Sequence, residues 1–563
     1  MSEMPQDHPV VTALRTLMGE IRRGWLVLRT RGPSKLQFWF IALLIGIAAG
    51  FAALLFRKGI EALERLAYGT EDTARLHSFV SSLDWYWVIA VPTLGGLVVG
   101  LILHRFTPDA RARSVADVIE GAALRNGRVE RRAGLASAIS SMITLGTGGS
   151  SGREGPVVHL AGLIASWVSH RINADGITGR DLLGCAVAAA VSASFNAPIA
   201  GALFALEVIL RHFALHAFAP IVIASVAGTV INRLEFGDVT EFVLPTATAL
   251  EFYVELPAFL LLGLVCGLVA TVMMKAIFFT DTLAEYAQTR SGLPRWLRPT
   301  AAGAILGVIA IAFPHIIGVG YETTSAALTG KLLLHEAVVF AILKVAAVAI
   351  TLGGRMGGGV FSPSLMLGAL TGLAFGLIAT AVFPEVSGAH TLYALAGMGA
   401  VAAAVLGAPI STTLIVFELT GDWQTGLAVM VAVSTSTALA SRMVKRSFFL
   451  TQLERRGVHL AAGPHAYLLS IQSVESLMRA PDHPRSAPED ECWKLIEDGV
   501  YIDAASTLET AMPIYERAGV YFIPVVSLGG EGAAVELRGA LFQVDALKAY
   551  NRALAAISEE EHS

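Results

Sequence analysis

Residues 145–156 read L-G-T-G-G-S-S-G-R-E-G-P, and residues 352–363 read L-G-G-R-M-G-G-G-V-F-S-P. Both stretches begin with Leu-Gly and end with Pro at the same distance. Because Pro156 suits the first turn of a helix, the first stretch is typical of a loop that leads into a helix N-terminus. The second stretch has its proline at the matching place, so the pair indicates an internal repeat.

A second pair of anchors follows the two loops in the same order. Ala-Pro-Ile stands at 197–199 and again at 408–410, and a glutamate comes nine residues after each proline, at Glu207 and Glu418. The interval from loop proline to second proline is 42 residues in the first copy (198 − 156) and 46 in the second (409 − 363). Repeats with Gly/Pro-broken segments at corresponding places predict a transport site at their interface.

The composition is that of a membrane protein. Apolar residues make up 54% of the chain and charged residues 15%, against about 25% charged residues in ordinary soluble domains. The 55 glycines show no G-X-Y period, which excludes a collagen-like chain. A net charge of −4 does not indicate a nucleic-acid partner, and three distant cysteines match no zinc or disulfide spacing. We therefore predict an all-α polytopic membrane protein without a metal or cofactor.

The apolar segments differ in length. Two of them, 38–56 and 85–103, are long enough to span a bilayer, but many later ones are short and are broken by Gly or Pro. Since irregular backbone is not tolerated in lipid, such breaks are buried or line a pathway; complete spans with blurred ends are the alternative. Basic residues before the first span and after Ala440 predict that both termini are cytoplasmic.

The pentapeptide Gly152-Arg153-Glu154-Gly155-Pro156 places a carboxylate in an apolar, glycine-rich stretch. Free backbone N–H groups at a helix N-terminus bind anions without a fixed cation. Glu154 can fill such a site with its own carboxylate and can take up a proton, so competition with a mobile anion would make it a gate. An Arg153–Glu154 pair that caps a helix at the membrane surface is the alternative.

The matching pentapeptide Gly359-Val360-Phe361-Ser362-Pro363 carries no carboxylate. Its small residues let backbone N–H groups approach an ion closely, and Phe361 offers the positive edge of its ring. This pattern predicts that the second loop also contributes to an anion site. A glycine-rich contact between packed helices is the alternative.

These motifs together resemble the CLC family of chloride channels and chloride/proton exchangers. The resemblance implies a homodimer with one anion pathway per subunit, and halves of opposite orientation. It implies that Glu154 is the external gating glutamate and that the amides near Val360 and Phe361 contact the central anion. The matching stretches are G-R-E-G-P at 152–156, N-A-P-I-A-G-A-L-F-A-L-E at 196–207, G-V-F-S-P at 359–363 and G-A-P-I-S-T-T-L-I-V-F-E at 407–418.

The first departure from the family pattern lies in the motif that is usually G-S-G-I-P. Residues 112–121 read A-R-S-V-A-D-V-I-E-G instead. A gap-free match puts Arg113 at the usual serine, and a shift of one residue puts Ser114 there, so both are candidate anion-site residues. An arginine there would favour anion residence and slow release. A plain basic cytoplasmic loop over 111–117 is the alternative.

Two further departures concern protons and the inner anion site. Many exchangers have an inner glutamate directly after the residue that matches Glu207, where this chain has Val208, as family channels do. Valine carries no proton, which favours a channel, and Glu207 is predicted to be structural, as is Glu418. Phe449 matches the tyrosine that caps the inner site but lacks its hydroxyl donor, and ordinary packing explains it equally well. His159 is a candidate proton relay, although a buried structural histidine is more typical.

A different class of protein shares one local pattern. Residues 149–152 fit the G-x-S-G of rhomboid intramembrane proteases, with Ser151 as the nucleophile. Such chemistry needs a histidine base within hydrogen-bond reach, and no histidine stands in a recognisable partner motif. The protease hypothesis also leaves the second glycine-rich loop unexplained, so it is a remote alternative.

The C-terminal part has the composition of a soluble domain. Ala505–Arg517 has the pattern of an amphipathic helix, Tyr521–Val526 and Gly539–Phe542 have those of strands, and a last helix follows Asp545. This order resembles one CBS domain, a module often fused to CLC proteins. Nucleotide-binding copies often carry Ser or Thr three residues before the aspartate, where this chain has Phe542. We therefore expect dimerisation or regulation rather than nucleotide binding; a plain cytoplasmic cap is the alternative.

The sequence thus predicts a cytoplasmic segment at 1–36, a transmembrane anion-transport domain at 37–460 and a CBS-like cytoplasmic domain at 461–563. We expect an integral protein of the plasma or inner membrane that is not an enzyme and conducts chloride as a channel gated by Glu154. Chloride/proton exchange without the inner glutamate is the alternative. Activation by voltage or by pH, and fluoride or nitrate in place of chloride, are further alternatives.

Overall fold

The computed structural model describes residues 33–70, 72–213, 215–237, 242, 244, 255–458, 460, 468–469, 472–528 and 535–562. Most of the predicted N-terminal segment, 1–36, therefore lies outside the described residues. The predicted boundary between the membrane part and the C-terminal domain, at 460–461, borders residues that are also not described.

Helices form the membrane part, and their lengths vary widely. In the first half they are α1 (Lys35–Tyr68), α2 (Leu76–Val80), α3 (Trp85–Phe106), α4 (Val115–Leu124), α5 (Arg131–Gly146), α6 (Glu154–Arg171), α7 (Gly176–Phe195), α8 (Pro198–Phe204), the π-helix Ala205–Leu210 and α9 (Leu215–Phe236). In the second half they are α10 (Leu256–Ser291), α11 (Leu297–Ala312), α12 (Tyr321–Leu328), α13 (Leu334–Gly353), α14 (Phe361–Val382), α15 (His390–Leu406), α16 (Pro409–Thr420), α17 (Trp423–Met443) and α18 (Phe448–Glu454).

Seven helical segments among the described residues are long and apolar enough to cross a membrane: α1, α3, α9, α10, α13, α14 and the segment that joins α17 to α18. Large apolar side chains on these helices are exposed; Phe40 is 60% exposed and Leu261 is 58% exposed. Exposed apolar surface of this extent suits contact with lipid rather than water. Shorter apolar helices lie between the spans, as the broken hydropathy pattern predicts.

Local sequence explains where α1 begins and ends. The Ser34 hydroxyl accepts a hydrogen bond from the amide of Gln37 at 3.4 Å, and the Gln37 side chain accepts one from the amide of Ser34 at 2.9 Å. This reciprocal pair satisfies two donors that the first turn leaves free. Gly69, with φ of +81°, ends the helix in the left-handed conformation that glycine adopts without a steric penalty.

The two copies of the repeat run in opposite directions. The carboxylate of Glu207, at the end of the first copy's short helix, accepts hydrogen bonds from the amides of Ile410 and Ser411 at 3.0 and 2.8 Å. The carboxylate of Glu418 does the same for two amides at the start of α8, at 3.0 and 2.7 Å. Each helix end therefore lies at the other's start, so α8 with its π-helix is antiparallel to α16. The predicted structural role of both glutamates agrees with these contacts.

The described start of α1 and the C-terminal domain lie on the same side of the membrane part. Gly50 packs against Gly228, and Lys58 pairs with Glu235 about two turns further along both helices. These contacts mean that α1 and α9 run parallel. Since α9 begins shortly after Arg211, which contacts the C-terminal domain, α1 also begins on that side. The prediction that this side is cytoplasmic stays a prediction.

The C-terminal domain is a small α/β unit, as predicted. Its three strands have the order β1-β2-β3; β1 is parallel to β2, and β2 is antiparallel to β3. The predicted amphipathic helix begins three residues later than expected, at Leu508, and the two predicted strands are each longer. Its elements are α19 (Val474–Leu477), α20 (Glu489–Glu497), β1 (Ile502–Asp503), α21 (Leu508–Ala518), β2 (Phe522–Leu528), β3 (Val535–Phe542) and α22 (Gln543–His562).

A buried ion-pair cluster attaches the C-terminal domain to the membrane part. The carboxylate of Glu509, on α21, lies 3.4 Å from Arg180 and 3.3 Å from Arg211, and the Glu509 side chain is only 4% exposed. Beside the cluster, the amide of Gly176 donates to the carbonyl of Ala505 at 2.9 Å. Arg180 lies in the second turn of α7, and Arg211 follows the π-helix, so both basic partners of Glu509 belong to the first copy of the repeat.

Candidate functional site

The two glycine-rich loops bond to each other. The amide of Gly152 donates to the carbonyl of Gly359, and the amide of Gly359 donates to the carbonyl of Gly152, both at 2.7 Å. A Cβ atom at Gly359 would lie 3.0 Å from the amide nitrogen of Gly155, so a larger residue would crowd this approach. As a result α6 and α14, one from each copy, begin side by side in the interior.

Glu154 is the first residue of α6, and its side chain reaches the start of α14. The residue is 2% exposed. Its carboxylate accepts a hydrogen bond from the amide of Ser362 at 3.3 Å and a second, short one from the Ser362 hydroxyl. A carboxylate of the first copy thus uses donors at the helix N-terminus of the second copy. These are the donors that a bound anion would need.

A cavity of about 90 Å³ leads up to Glu154. It lies between the starts of α4, α6 and α14 and is closed from the side by α18. Most of the residues that the sequence singled out as anion-site candidates meet in its wall. They are Ser114, Glu154, Gly155, Gly359, Val360, Phe361 and Phe449.

Aromatic rings form part of the wall of this cavity. The ring of Phe361 lies 4.7 Å from that of Phe195 and 5.7 Å from that of Phe204 between centroids. Phe449 is 3% exposed, faces the cavity and packs edge-on against Phe448 at 5.9 Å. Phe449 thus lies in the cavity wall and also packs against a neighbouring ring, and its role at an inner anion site stays a prediction. An apolar wall lowers the local dielectric constant, which strengthens the interaction of an ion with nearby donors.

The structure separates the two candidates in the loop before α4. Ser114 lines the cavity, whereas the Arg113 guanidinium pairs with Asp109 at 2.9 Å, with Glu130 at 3.3 Å and with Asp117 at 3.7 Å. Three carboxylates compensate its charge, so Arg113 does not place a free positive charge in the wall. The amide of Ser114 donates to the Asp117 carboxylate at 2.8 Å and is therefore already used.

Arg153 lies on the other side of the loop pair, which corrects its predicted place in the anion site. Its guanidinium donates to the carbonyl of Ser194 at 3.1 Å and lies 5.3 Å from the Tyr321 ring centroid. It lines a second cavity of about 320 Å³ together with Glu64 and Glu322. The backbone of Arg153 remains next to Glu154, but its side chain points away because successive residues at a helix start face different directions.

Two histidines in the second cavity are neutral near pH 7. The His77 Nδ1 atom lies 3.0 Å from the Glu322 carboxylate, and the His77 ring lies 4.4 Å from that of His315. Burial lowers the pKa of the His77 imidazole to about 4 and also lowers the pKa of His315. This cavity therefore does not gain positive charge from these histidines in the neutral range.

The positions considered for proton transfer are placed as follows. Val208 is 6% exposed within the π-helix, and its neighbour Glu207 is turned towards the start of α16. His159 is 1% exposed on α6, and its ring lies against Gly134. No carboxylate replaces the missing inner glutamate at Val208 itself.

The protease alternative finds no catalytic geometry in the described part of the chain. The Ser151 hydroxyl is buried and has no hydrogen-bond partner among the described residues, so no described histidine lies within reach as a base. The hydroxyl instead packs against the backbone of Gly358 in the second loop.

The sequence reasoning missed the basic residues of the cavity. Arg111, Arg355, Arg455 and Arg456 all line it, together with Asp281. Arg355 is the fourth residue of the second twelve-residue stretch, and the first stretch has Gly148 at that position. This mismatch between the two copies could have identified Arg355 from the sequence. Arg111, Arg455 and Arg456 lie outside the repeated stretches, so no comparison between the two copies could identify them.

Comparison with known proteins agrees with this geometry. A family model described as voltage gated chloride channel matches residues 95–441. The chain is 31% identical over 419 residues to a putative chloride channel protein ClcB-like of Ralstonia nicotianae, which covers 74% of this chain and 96% of that protein. It is 29% identical over 438 residues to the chloride channel protein CLC-f of Arabidopsis thaliana, which covers 72% of this chain and 54% of that protein.

Solved structures share the fold. A slow cyanobacterial Cl⁻/H⁺ antiporter matches with a TM-score of 0.65 and 21% identity, over 75% of this chain and 98% of the other. A eukaryotic CLC transporter matches with a TM-score of 0.65 and 17% identity, over 91% of this chain and 98% of the other. At these identities the likeness concerns the fold, while the family model covers more than half of the chain. The chain therefore belongs to the CLC family.

Proposed function

We propose that this protein conducts chloride across its membrane as a CLC-type channel and that Glu154 is its gate. One observation carries the proposal: the Glu154 carboxylate occupies the amide and the hydroxyl of Ser362 where the two helix starts meet. A chloride ion that uses these donors has to displace the carboxylate or wait for it to be protonated. The relatives from Ralstonia and Arabidopsis are named as chloride channels, which supports chloride as the ion.

The buried valine at 208 favours a channel over an exchanger. Stoichiometric exchange needs a titratable group that receives each proton from the inner side, and Val208 has none. The neighbouring Glu207 is held by the Ile410 and Ser411 amides and faces away from the cavity. Chloride/proton exchange is the second candidate, because His159 is buried on α6, the helix that begins at Glu154. In addition, the cyanobacterial structure is described as a Cl⁻/H⁺ antiporter, and another matching structure is described as a fluoride/proton antiporter.

The reversal potential under a pH gradient separates these two functions. With equal chloride and unequal pH on the two sides of a planar bilayer, the channel is expected to reverse at zero voltage because protons are not coupled to the anion. Current from the reconstituted full-length protein provides the measurement. A reversal potential that moves with the pH gradient would show exchange and would refute the channel.

We also propose a homodimer whose C-terminal domain is a CBS-like regulatory module without a nucleotide. The Asp545 carboxylate is already engaged by Arg479 at 2.8 Å, and the Arg479 guanidinium lies 4.1 Å from the centroid of the Phe542 ring. Added ATP is therefore expected to leave the melting temperature of the purified protein unchanged. A clear rise would contradict this assignment, and light scattering in detergent gives the number of subunits.

A further inference from the structure

Arg355 adopts a backbone conformation that suits glycine. It is the fourth residue of the second twelve-residue stretch, and Gly148 is the fourth residue of the first. Both residues have positive φ, +92° at Gly148 and +61° at Arg355. The left-handed region crowds the Cβ atom of any other residue, so an arginine is strained where the matching position has glycine. Strain of this kind points to a role for the side chain.

The Arg355 side chain is buried against the cavity with donors to spare. It is 10% exposed, lines the cavity that leads to Glu154, and its Nε atom has no hydrogen-bond partner among the described residues. Its contacts to Asp281 and Glu285 are long, at 3.8 and 3.9 Å, and its bond to the carbonyl of Asp109 is 3.5 Å. A guanidinium offers five N–H donors, and contacts of this length leave most of its hydrogen-bonding capacity unused.

The nearby carboxylates do not balance the nearby arginines. Arg111 lines the same cavity and lies 3.8 Å from Asp281 and 4.0 Å from Glu285. Asp281 makes its shortest pair with Arg298, at 2.6 Å, and Glu285 is 58% exposed. Three guanidinium groups, those of Arg111, Arg298 and Arg355, therefore share two carboxylates, of which Asp281 pairs most closely with Arg298 and Glu285 is screened by solvent. The remaining positive charge faces the cavity.

The usual donors for an anion are occupied at this end of the cavity. The amide of Ser114 donates to Asp117 at 2.8 Å, and the amide of Arg113 donates to the Ser137 hydroxyl at 2.8 Å. The start of α4 therefore offers fewer free amides than the start of α14. An ion that enters past Ser114 meets the guanidinium groups first.

We propose that Arg355 and Arg111 form a docking site for a small inorganic anion at the mouth of this cavity, from which the ion passes to the donors that Glu154 occupies. This inference rests on the proposed anion transport and adds a separate binding site to it. A planar guanidinium fork matches a planar oxyanion better than a spherical halide. The site therefore binds nitrate more tightly than chloride.

Calorimetric titration of the purified full-length protein with nitrate and with chloride tests the site without transport. Replacing Arg355 by the residue found at Gly148, R355G, removes the donors and relieves the backbone. Nitrate is then expected to bind about tenfold more weakly, the size of losing one hydrogen bond to a charged group. R355K keeps the charge and loses the fork, so chloride binding is retained and the preference for nitrate disappears.

Arg105 provides the matched control, because it is an exposed arginine at the end of α3 outside this cavity. R105Q is expected to bind nitrate as the wild type does. Equal weakening by R105Q and R355G would overturn the proposal, since general surface charge would then explain the binding. Equal nitrate binding by R355G and the wild type would overturn it as well. If R355G does not fold, R355K provides the test, and an unchanged preference for nitrate in R355K would overturn the proposal.

Anion currents distinguish failure of the site from failure of the proposed function. In the wild type, current is expected to saturate at a lower anion concentration than in R355G when the anion is varied on the side of the C-terminal domain. Arg355-dependent binding without any anion current would sink the proposed function and leave the docking site standing. Anion current that saturates equally in both proteins would sink the docking site alone.

Discussion

The Glu154→Gln protein is expected to carry chloride equally fast at acid and neutral pH, whereas the wild type is expected to carry it faster at acid pH. Glutamine keeps the size of the side chain but has no charge with which to hold the donors of Ser362. Loss of the charged acceptor is expected to raise the fraction of time for which these donors are unoccupied by about tenfold to hundredfold. Chloride efflux from proteoliposomes at several pH values measures the effect.

Glu207→Gln is the matched control for this experiment. It makes the same chemical change at a glutamate that caps the start of α16 and does not line the cavity. We expect it to lower the melting temperature and to leave the pH response of the flux unchanged. Burial lowers the pKa of His77 to about 4 and also lowers the pKa of His315, so neither histidine adds a step near pH 7. A Glu154→Gln protein with the wild-type pH response would show that the gate lies elsewhere.

Glu509→Gln is expected to release the C-terminal domain from the membrane part. The change leaves Arg180 and Arg211 without their shared carboxylate, and the Arg180 side chain is only 6% exposed. Removing one partner of a buried ion pair costs about 3–5 kcal/mol, because the remaining charge is uncompensated. The amide of Gly176, which donates to Ala505, should then exchange its hydrogen for deuterium much faster.

Glu516 offers the matched control on the same helix. It lies about two turns beyond Glu509 and is exposed, so Glu516→Gln is expected to leave hydrogen exchange at Gly176 and the melting temperature as in the wild type. If Glu509→Gln also leaves the exchange of this amide unchanged, the domain is held by its backbone contacts and the ion-pair cluster contributes little.

Local patterns account for what the sequence predicted well. The two twelve-residue loops, the carboxylate of Glu154 and the ring of Phe361 belong to short motifs, and their convergence follows from the repeat. The strands of the C-terminal domain follow from their runs of apolar residues. The reciprocal capping by Glu207 and Glu418 was not predicted, because each partner lies in the other half and no local pattern names it.

Side-chain direction accounts for what the sequence predicted poorly. Arg153 and Glu154 are neighbours, yet their side chains line different cavities on opposite sides of the loop pair. Ser114 and Arg113 could be told apart only once three carboxylates were seen around the arginine. The identity of the C-terminal domain as a CBS module and the homodimer stay predictions from the resemblance.

The capping of α8 by Glu418 has a consequence for biosynthesis. The acceptor for the amide of Ile199 is synthesised 219 residues after that amide. At a translation rate of about 5–20 residues per second, the ribosome needs about 10 to 40 seconds to cover this distance. During that time the first half remains in or near the insertion machinery, and the amides at the start of α8 have no acceptor. Maturation of the first half therefore depends on synthesis of the second half. A chain truncated after the first half should be recognised and degraded by membrane quality control.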